Sequence, residues 1–222
     1  MAITTDVLVG QLATEQPLST RVFARHGIDY CCGGGRPLSE VCDEMGLDAD
    51  TIVAELEKEL KEPGDTTRWD EAPVDKLIDH ILEVYHVPLW EELDRLDAMA
   101  RKVLAVHGDK RPEMLSGIVE VFAEVKADLD QHMHKEEEIL FPMIKAGQGK
   151  DAGGPINVMN REHEEVGEAL RRLRLLTNQY EVPEEACNTW RALWHGLAAM
   201  EKDLHQHIHL ENNILFPRAL EG

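Results

Sequence analysis

Long apolar runs are missing from this chain. None reaches the roughly 18 residues that a membrane-spanning helix needs, so no membrane span is expected. Positive charge is scarce as well: 23 lysines and arginines face 43 aspartates and glutamates, a formal charge of -20. So acidic a surface repels phosphate backbones and argues against nucleic acid as a partner. Aromatics make up 5% of residues, which suits helices packed through aliphatic side chains. β-Branched runs are short and do not alternate with polar residues, so strands are not expected. The N-terminal MAITTDVLVGQLATEQ has neither the basic start nor the apolar core of a secretory signal. A cytoplasmic location is the resulting expectation. In a reducing cytosol Cys31, Cys32, Cys42 and Cys187 are expected as thiols, the last two as buried spectators.

The 222 residues suffice for one medium domain and a small one. Residues 1–62 read as a small helical domain, with Val7, Leu8, Leu12, Val22 and Phe23 as apolar positions. It contains the glycine-rich loop HGIDYCCGGGRPLSE. Ser39 and Asp48 are candidate helix N-caps, Gly46 a helix stop, and Pro63-Gly64 the terminator of the domain's last helix. Residues 63–72 form a linker. Residues 73–222 then carry four long helical patterns, near Pro73–Val106, Arg111–Lys145, Pro155–Asn178 and Pro183–Leu220. Leu77, Ile81, Val84, Leu93 and Leu96 supply apolar spacing in the first, and Leu170, Leu173 and Leu176 in the third. Helices of similar length with modest loops predict an all-α fold, an antiparallel four-helix bundle. Pro88 should bend the first helix, and Pro142 and Pro217 should end or kink the second and fourth.

A fifteen-residue segment occurs almost twice. Residues 128–142 are DLDQHMHKEEEILFP and residues 203–217 are DLHQHIHLENNILFP, identical at ten positions. Asp128, His132 and Glu136 match Asp203, His207 and Glu211, each series stepping by four residues and so lying on one helix stripe. The rival pair His134/Glu138 loses its carboxylate to Asn213 in the second copy, and His205/His209 meets Asp130 in the first. Only His132/Glu136 and His207/Glu211 keep ligand character in both. In an up-down-up-down bundle the two copies lie on parallel, diagonal helices, whose faces can meet at the axis. His134 and His209 point about 200° away from that stripe.

A metal centre in a bundle draws on the other helices too. The first offers His80 and His86, the third His163. Six ligands of this kind can hold two metals, each with two imidazoles, the two carboxylates bridging. The mixed nitrogen and oxygen donors suit iron, with manganese as the alternative. Four protein ligands per iron leave about two positions for an oxide or hydroxide bridge, when oxidised, and for O2, NO or another exogenous ligand. Asp128 and Asp203, one turn before the histidines, are candidate outer carboxylates or a polar route to the site, and Glu162 beside His163 is a weaker one. A lone helix histidine is usually at the surface or a satisfied core residue; His80, His107, His134, His195, His205 and His209 fall in that class. Ferritin-like sites use Glu-x-x-His, and this chain has His-x-x-x-Glu instead.

DYCCGGG, HMHKEEEILFPMI, GPINVMNREHEE and HIHLENNILFPRAL, in this order, resemble the hemerythrin-like superfamily and, more closely, the iron–sulfur cluster repair di-iron proteins. The resemblance covers nearly the whole chain. It implies a non-haem di-iron centre on His86, His132, Glu136, His163, His207 and Glu211, and so favours His86 over His80. It also implies that Glu136 and Glu211 bridge the irons. The implied function is repair of iron–sulfur clusters damaged by nitric oxide or oxidants, by iron donation, by an NO-reductase-type activity, or by both. Damaged iron–sulfur proteins and NO or O2 are the implied partners. One departure is Asp128, where relatives can show Glu.

Cys31 and Cys32, adjacent and followed by glycines, make an exposed, flexible dithiol suited to redox chemistry or iron transfer. Their domain has two places to dock, its own bundle or a second copy in a homodimer. The competing reading is a hemerythrin-like O2 or NO carrier or sensor, which needs no dithiol domain. A third is a helical interaction module without metal.

Overall fold

The sequence's helical periodicity is realised throughout. The structure, a computed structural model, describes residues 3–222, and they contain no strand, only one isolated bridge between Leu8 and Pro37. Two compact units are present. One takes the chain up to Asp79 together with His205–Gly222; the other is His80–Leu204.

In the first unit four short helices, α1 (Val9–Glu15), α2 (Ser19–His26), α3 (Leu38–Met45) and α4 (Ala49–Glu59), enclose a core that includes Val9, Leu12, Val22, Phe23, Leu38, Ile52 and Leu56. Gly46 ends α3 at φ 68°, a left-handed conformation that favours glycine. Asp48 caps α4, accepting the Thr51 amide at 3.1 Å. Ser39, expected as a cap, lies inside α3 instead. The first amides of that helix go to the preceding segment: Leu38 N–H donates to the Val7 carbonyl and Ser39 N–H to that of Thr5, so no side-chain cap is needed. Leu8, expected as apolar packing, is exposed.

The second unit is built on α6 (Val87–His107), α7 (Pro112–Lys135), α9 (Gly153–Leu176) and the part of α10 (Asn188–Leu210) up to Leu204. α7 packs against both α6 and α9. Buried Leu93, Leu96, Phe122, Leu170, Trp190, Trp194 and Leu197 belong to one core. Arg174 on α9 makes a two-pronged ion pair with buried Glu201 on α10, at 3.0 and 2.9 Å. The fourth helix starts at Asn188, because Pro183–Cys187 is taken up by a turn in which Ala186 N–H donates to the Pro183 carbonyl.

Three π-turns interrupt the long helices: Leu82–His86 after α5 (Val74–Ile81), Glu136–Leu140 before α8 (Phe141–Lys145), and Glu211–Leu215 before α11 (Phe216–Glu221). Each starts six residues before a proline, namely Pro88, Pro142 and Pro217. Proline has no N–H, and its ring clashes with the carbonyl four residues earlier. Widening the turn by one residue removes that carbonyl, so the helices continue through Pro88, Pro142 and Pro217 rather than ending there. The widening also rotates the register, which leaves Val84 exposed where the apolar spacing had placed it inside.

Candidate metal centre

The candidate ligands occupy core positions. On α7 the buried residues Leu115, Ile118, Phe122, Val125 and Leu129 advance by alternate steps of three and four, and His132 and Glu136 are the next two on that stripe. On α9 His163 sits between Met159 and Val166 on a stripe of the same kind. Polar groups at such positions are costly to bury unless something binds them.

Within the second unit the side chains converge. Glu136 Oε2 lies 3.4 Å from His86 Nε2 and 3.3 Å from His132 Nε2. His132 Nε2 and His163 Nε2 are 3.0 Å apart. His132, Glu136 and His163 each offer a ligand atom, all within 4.8 Å of one another. All four residues are buried. Burial alone would push the Glu136 carboxyl up, but the imidazoles of His132 and His86 hold it well below its ordinary value, so it is an anion.

Two carboxylates stand behind the rings. Glu162 Oε2 lies 3.1 Å from His132 Nδ1 and its other oxygen binds Lys135. Glu137 Oε1 lies 2.8 Å from His86 Nδ1 and accepts the Trp90 indole N–H at 3.4 Å. A carboxylate can only accept, so each ring carries a proton on Nδ1, and a cation at the Nε2 side would take the place of the proton that Nε2 otherwise shares with Glu136. This donor set fits a metal ion. Two Nε2 atoms at 3.0 Å repel unless a proton or a cation lies between them, and buried Glu136 Oε1 has no hydrogen-bond partner among the described residues.

In the first unit the second copy of the repeat shows the same pairing: His207 Nε2 lies 3.0 Å from Glu211 Oε1, both residues buried. The reverse face of this segment holds the dithiol loop. His209 Nδ1 donates to the Tyr30 carbonyl at 3.3 Å, and Asn213 Nδ2 reaches the carbonyls of Tyr30 and Cys31 at 3.3 and 3.1 Å. Asn212 also donates to the Cys31 carbonyl. Burial pushes the His209 imidazole down to about 4, so it is neutral at pH 7 and serves as packing and hydrogen bonding. Asp29 organises the loop, its Oδ1 accepting the amides of Cys31 at 3.0 Å and Cys32 at 2.9 Å. The Cys31 and Cys32 sulfurs are 3.8 Å apart, and Cys31 is buried where exposure had been expected. Its neighbour Cys32, burial and the Asp29 carboxylate all push the Cys31 thiol well above the ordinary thiol range.

A family model described as the hemerythrin HHE cation binding domain matches residues 77–219, and one described as a domain of unknown function (DUF542) matches residues 5–60. The iron-sulfur cluster repair protein YtfE of Yersinia pseudotuberculosis is 45% identical over 214 residues, 96% of each chain. Its counterpart in Yersinia pestis is 44% identical over the same span. The chain belongs to the hemerythrin-like iron–sulfur cluster repair family. All six candidate ligands of this family member lie inside the cation-binding match, and the Cys31-Cys32 loop lies inside the other.

Some expected residues in this family member lie elsewhere. Asp128 and Asp203 are exposed and make no hydrogen bond or ion pair with other described residues. The carboxylates that do touch rings of candidate ligands are Glu162, expected, and Glu137, missed. The signal for Glu137 was its mismatch: the second copy has Asn212 there. His134 and His195 are exposed, and His80 stacks edge-on against Tyr85. Cys42 is buried, but Cys187 is exposed, its sulfur 3.3 Å from His107 Nε2, because it precedes α10 in the turn rather than lying within the helix. Among the described residues no helix is long and apolar enough to cross a membrane.

Proposed function

We propose that His86, His132, Glu136, His163, His207 and Glu211 hold two non-haem irons, Glu136 and Glu211 bridging, and that the protein repairs iron–sulfur clusters damaged by nitrosative or oxidative stress. The observation that carries this reading is the buried His132, Glu136 and His163 cluster, with its inward Nε2 atoms and partnerless carboxylate oxygen, echoed by His207 and Glu211. The name of the Yersinia relatives, iron-sulfur cluster repair protein, supports the repair function. Iron in such a donor set would bind NO or O2 at its open positions, or leave as an ion for a damaged cluster.

The protein's own groups have definite tasks in this scheme. Glu162 and Glu137 fix the ring tautomers. Leu140, which ends the Glu136 turn, and Phe141, which follows it, are buried, and the Phe141 ring lies 5.7 Å from that of His86, an apolar wall for the site. The Cys31 thiol rests protonated, so Cys31 is no standing nucleophile; it gives up its proton when a cation arrives.

The test is a cluster-repair assay with an NO-damaged iron–sulfur protein and the di-ferrous form, NO consumption being followed in parallel. Repair lost with Cys31→Ser/Cys32→Ser, with bundle iron retained, is the expected result. Repair at the wild-type rate with both thiols gone would overturn the dithiol's role, and no repair by the wild type would overturn the function.

A further inference from the structure

The two carboxylates behind the imidazoles are not equivalent. Glu162 holds His132 Nδ1 with one oxygen and the Lys135 ammonium with the other. Glu137 holds His86 Nδ1 at 2.8 Å and is otherwise bonded only by the neutral indole of Trp90. No lysine or arginine among the described residues pairs with Glu137. The repeat reinforces the difference, since the residue matching Glu137 is Asn212, which is uncharged.

A carboxylate that accepts an Nδ1–H pushes electron density through the ring and makes Nε2 a stronger donor; removing such an outer partner lowers metal affinity by about 10- to 100-fold. A neighbouring ammonium draws on the same carboxylate charge and weakens that push. His86 is therefore the more strongly polarised ring, and His132 the less. His132 and His163 present their Nε2 atoms 3.0 Å apart and so would share one ion, which leaves His86 for the other.

We infer that the two iron positions are unequal: the ion held by His132 and His163 is the one that leaves first, and Glu137 makes the position at His86 the retained one. This rests on the two-iron reading above. The departing ion is Fe2+, with no change of oxidation state. Glu137 and Lys135 act as positioning and charge-setting residues and touch no metal themselves. For a repair protein the arrangement separates one ion to give away from one that keeps the bundle assembled.

The test is release of iron from the anaerobic di-ferrous full chain to excess bipyridine, followed by absorbance of the chelate. Wild type is expected to release its iron in two phases of equal amplitude. Glu137→Gln keeps an oxygen acceptor but removes the charge; it should speed the slow phase by roughly 10-fold or more, toward one merged phase. Lys135→Met, at a half-exposed position, should slow the fast phase, an effect that mere structural damage would not produce. A single phase in wild type, or acceleration of only the fast phase by Glu137→Gln, would overturn the inequality while leaving two bound irons. A chain that loads a single ion would overturn both.

Discussion

His207 and His209 stand two positions apart and do different work. His207 faces Glu211 on the ligand stripe, and His209 is bonded to the dithiol loop. His207→Ala should release most of the bound iron on gel filtration. His209→Ala should keep the iron and instead raise the rate at which Cys31 is alkylated; equal iron loss in both would contradict the face assignment. Asp29 gives a prediction in pH. Partial burial pushes its carboxyl up, but the amides of Gly33, Cys32 and Cys31 outweigh this and hold it below 3.8, its ordinary value. The group is thus more acidic folded than unfolded, so its stabilisation is complete above 3.8 and is lost as pH falls through the lower folded value. Hydrogen-exchange protection at Cys31 and Cys32 should persist down to that range in wild type and be weak already at pH 7 in Asp29→Ala. Wild-type protection that fades near neutrality would assign the loop's order to another group. At this scale the repeat singles out His132, Glu136, His207 and Glu211 as candidate ligands through their identity in both copies. Glu137 and Asn213 were hidden because they are mismatches, and a mismatch gains meaning only when its spatial partner, His86 or the Tyr30 carbonyl, is known.

The helices and their order could be read from apolar spacing, and the stripes of α7 and α9 run directly into the candidate ligands. The π-turns could not be read so easily. Pro88, Pro142 and Pro217 announce a lost hydrogen bond, but whether the helix stops, kinks or widens depends on what the packing on either side rewards. Here both sides of each turn carry buried side chains, such as Leu77 and Leu89 around the first and Leu129 and Phe141 around the second, so continuing the helix wins. Glycine decides the dithiol loop. A Cβ on Gly34 would lie 2.8 Å from Gly10 Cα and 2.8 Å from the Tyr30 carbonyl oxygen, both backbone atoms that cannot rotate away. Gly34→Ala should destabilise the small helical core by about 1–3 kcal/mol in a urea titration, with iron content unchanged. No loss of stability would mean that this close approach is not required.

On the scale of the whole molecule, acidic charge, absent strands and absent membrane spans bounded the class, and the resemblance to iron–sulfur cluster repair proteins is matched by relatives covering 96% of the chain. The compact units were less visible: residues 205–222, part of the fourth helical pattern, group with the N-terminal helices. Asn212, Asn213 and His209 explain the grouping, since their bonds to the Cys31 and Tyr30 carbonyls join segments about 180 residues apart. Such long-range pairings leave no periodic trace in a sequence. One terminal segment thus carries two ligand candidates on one face and the dithiol loop on the other. The measurement that tests the central claim most directly is metal analysis of the full chain after anaerobic reconstitution with ferrous iron. About two irons per chain are predicted, with most of the metal lost in Glu136→Ala. A single tightly bound zinc, or no retained iron, would contradict the account.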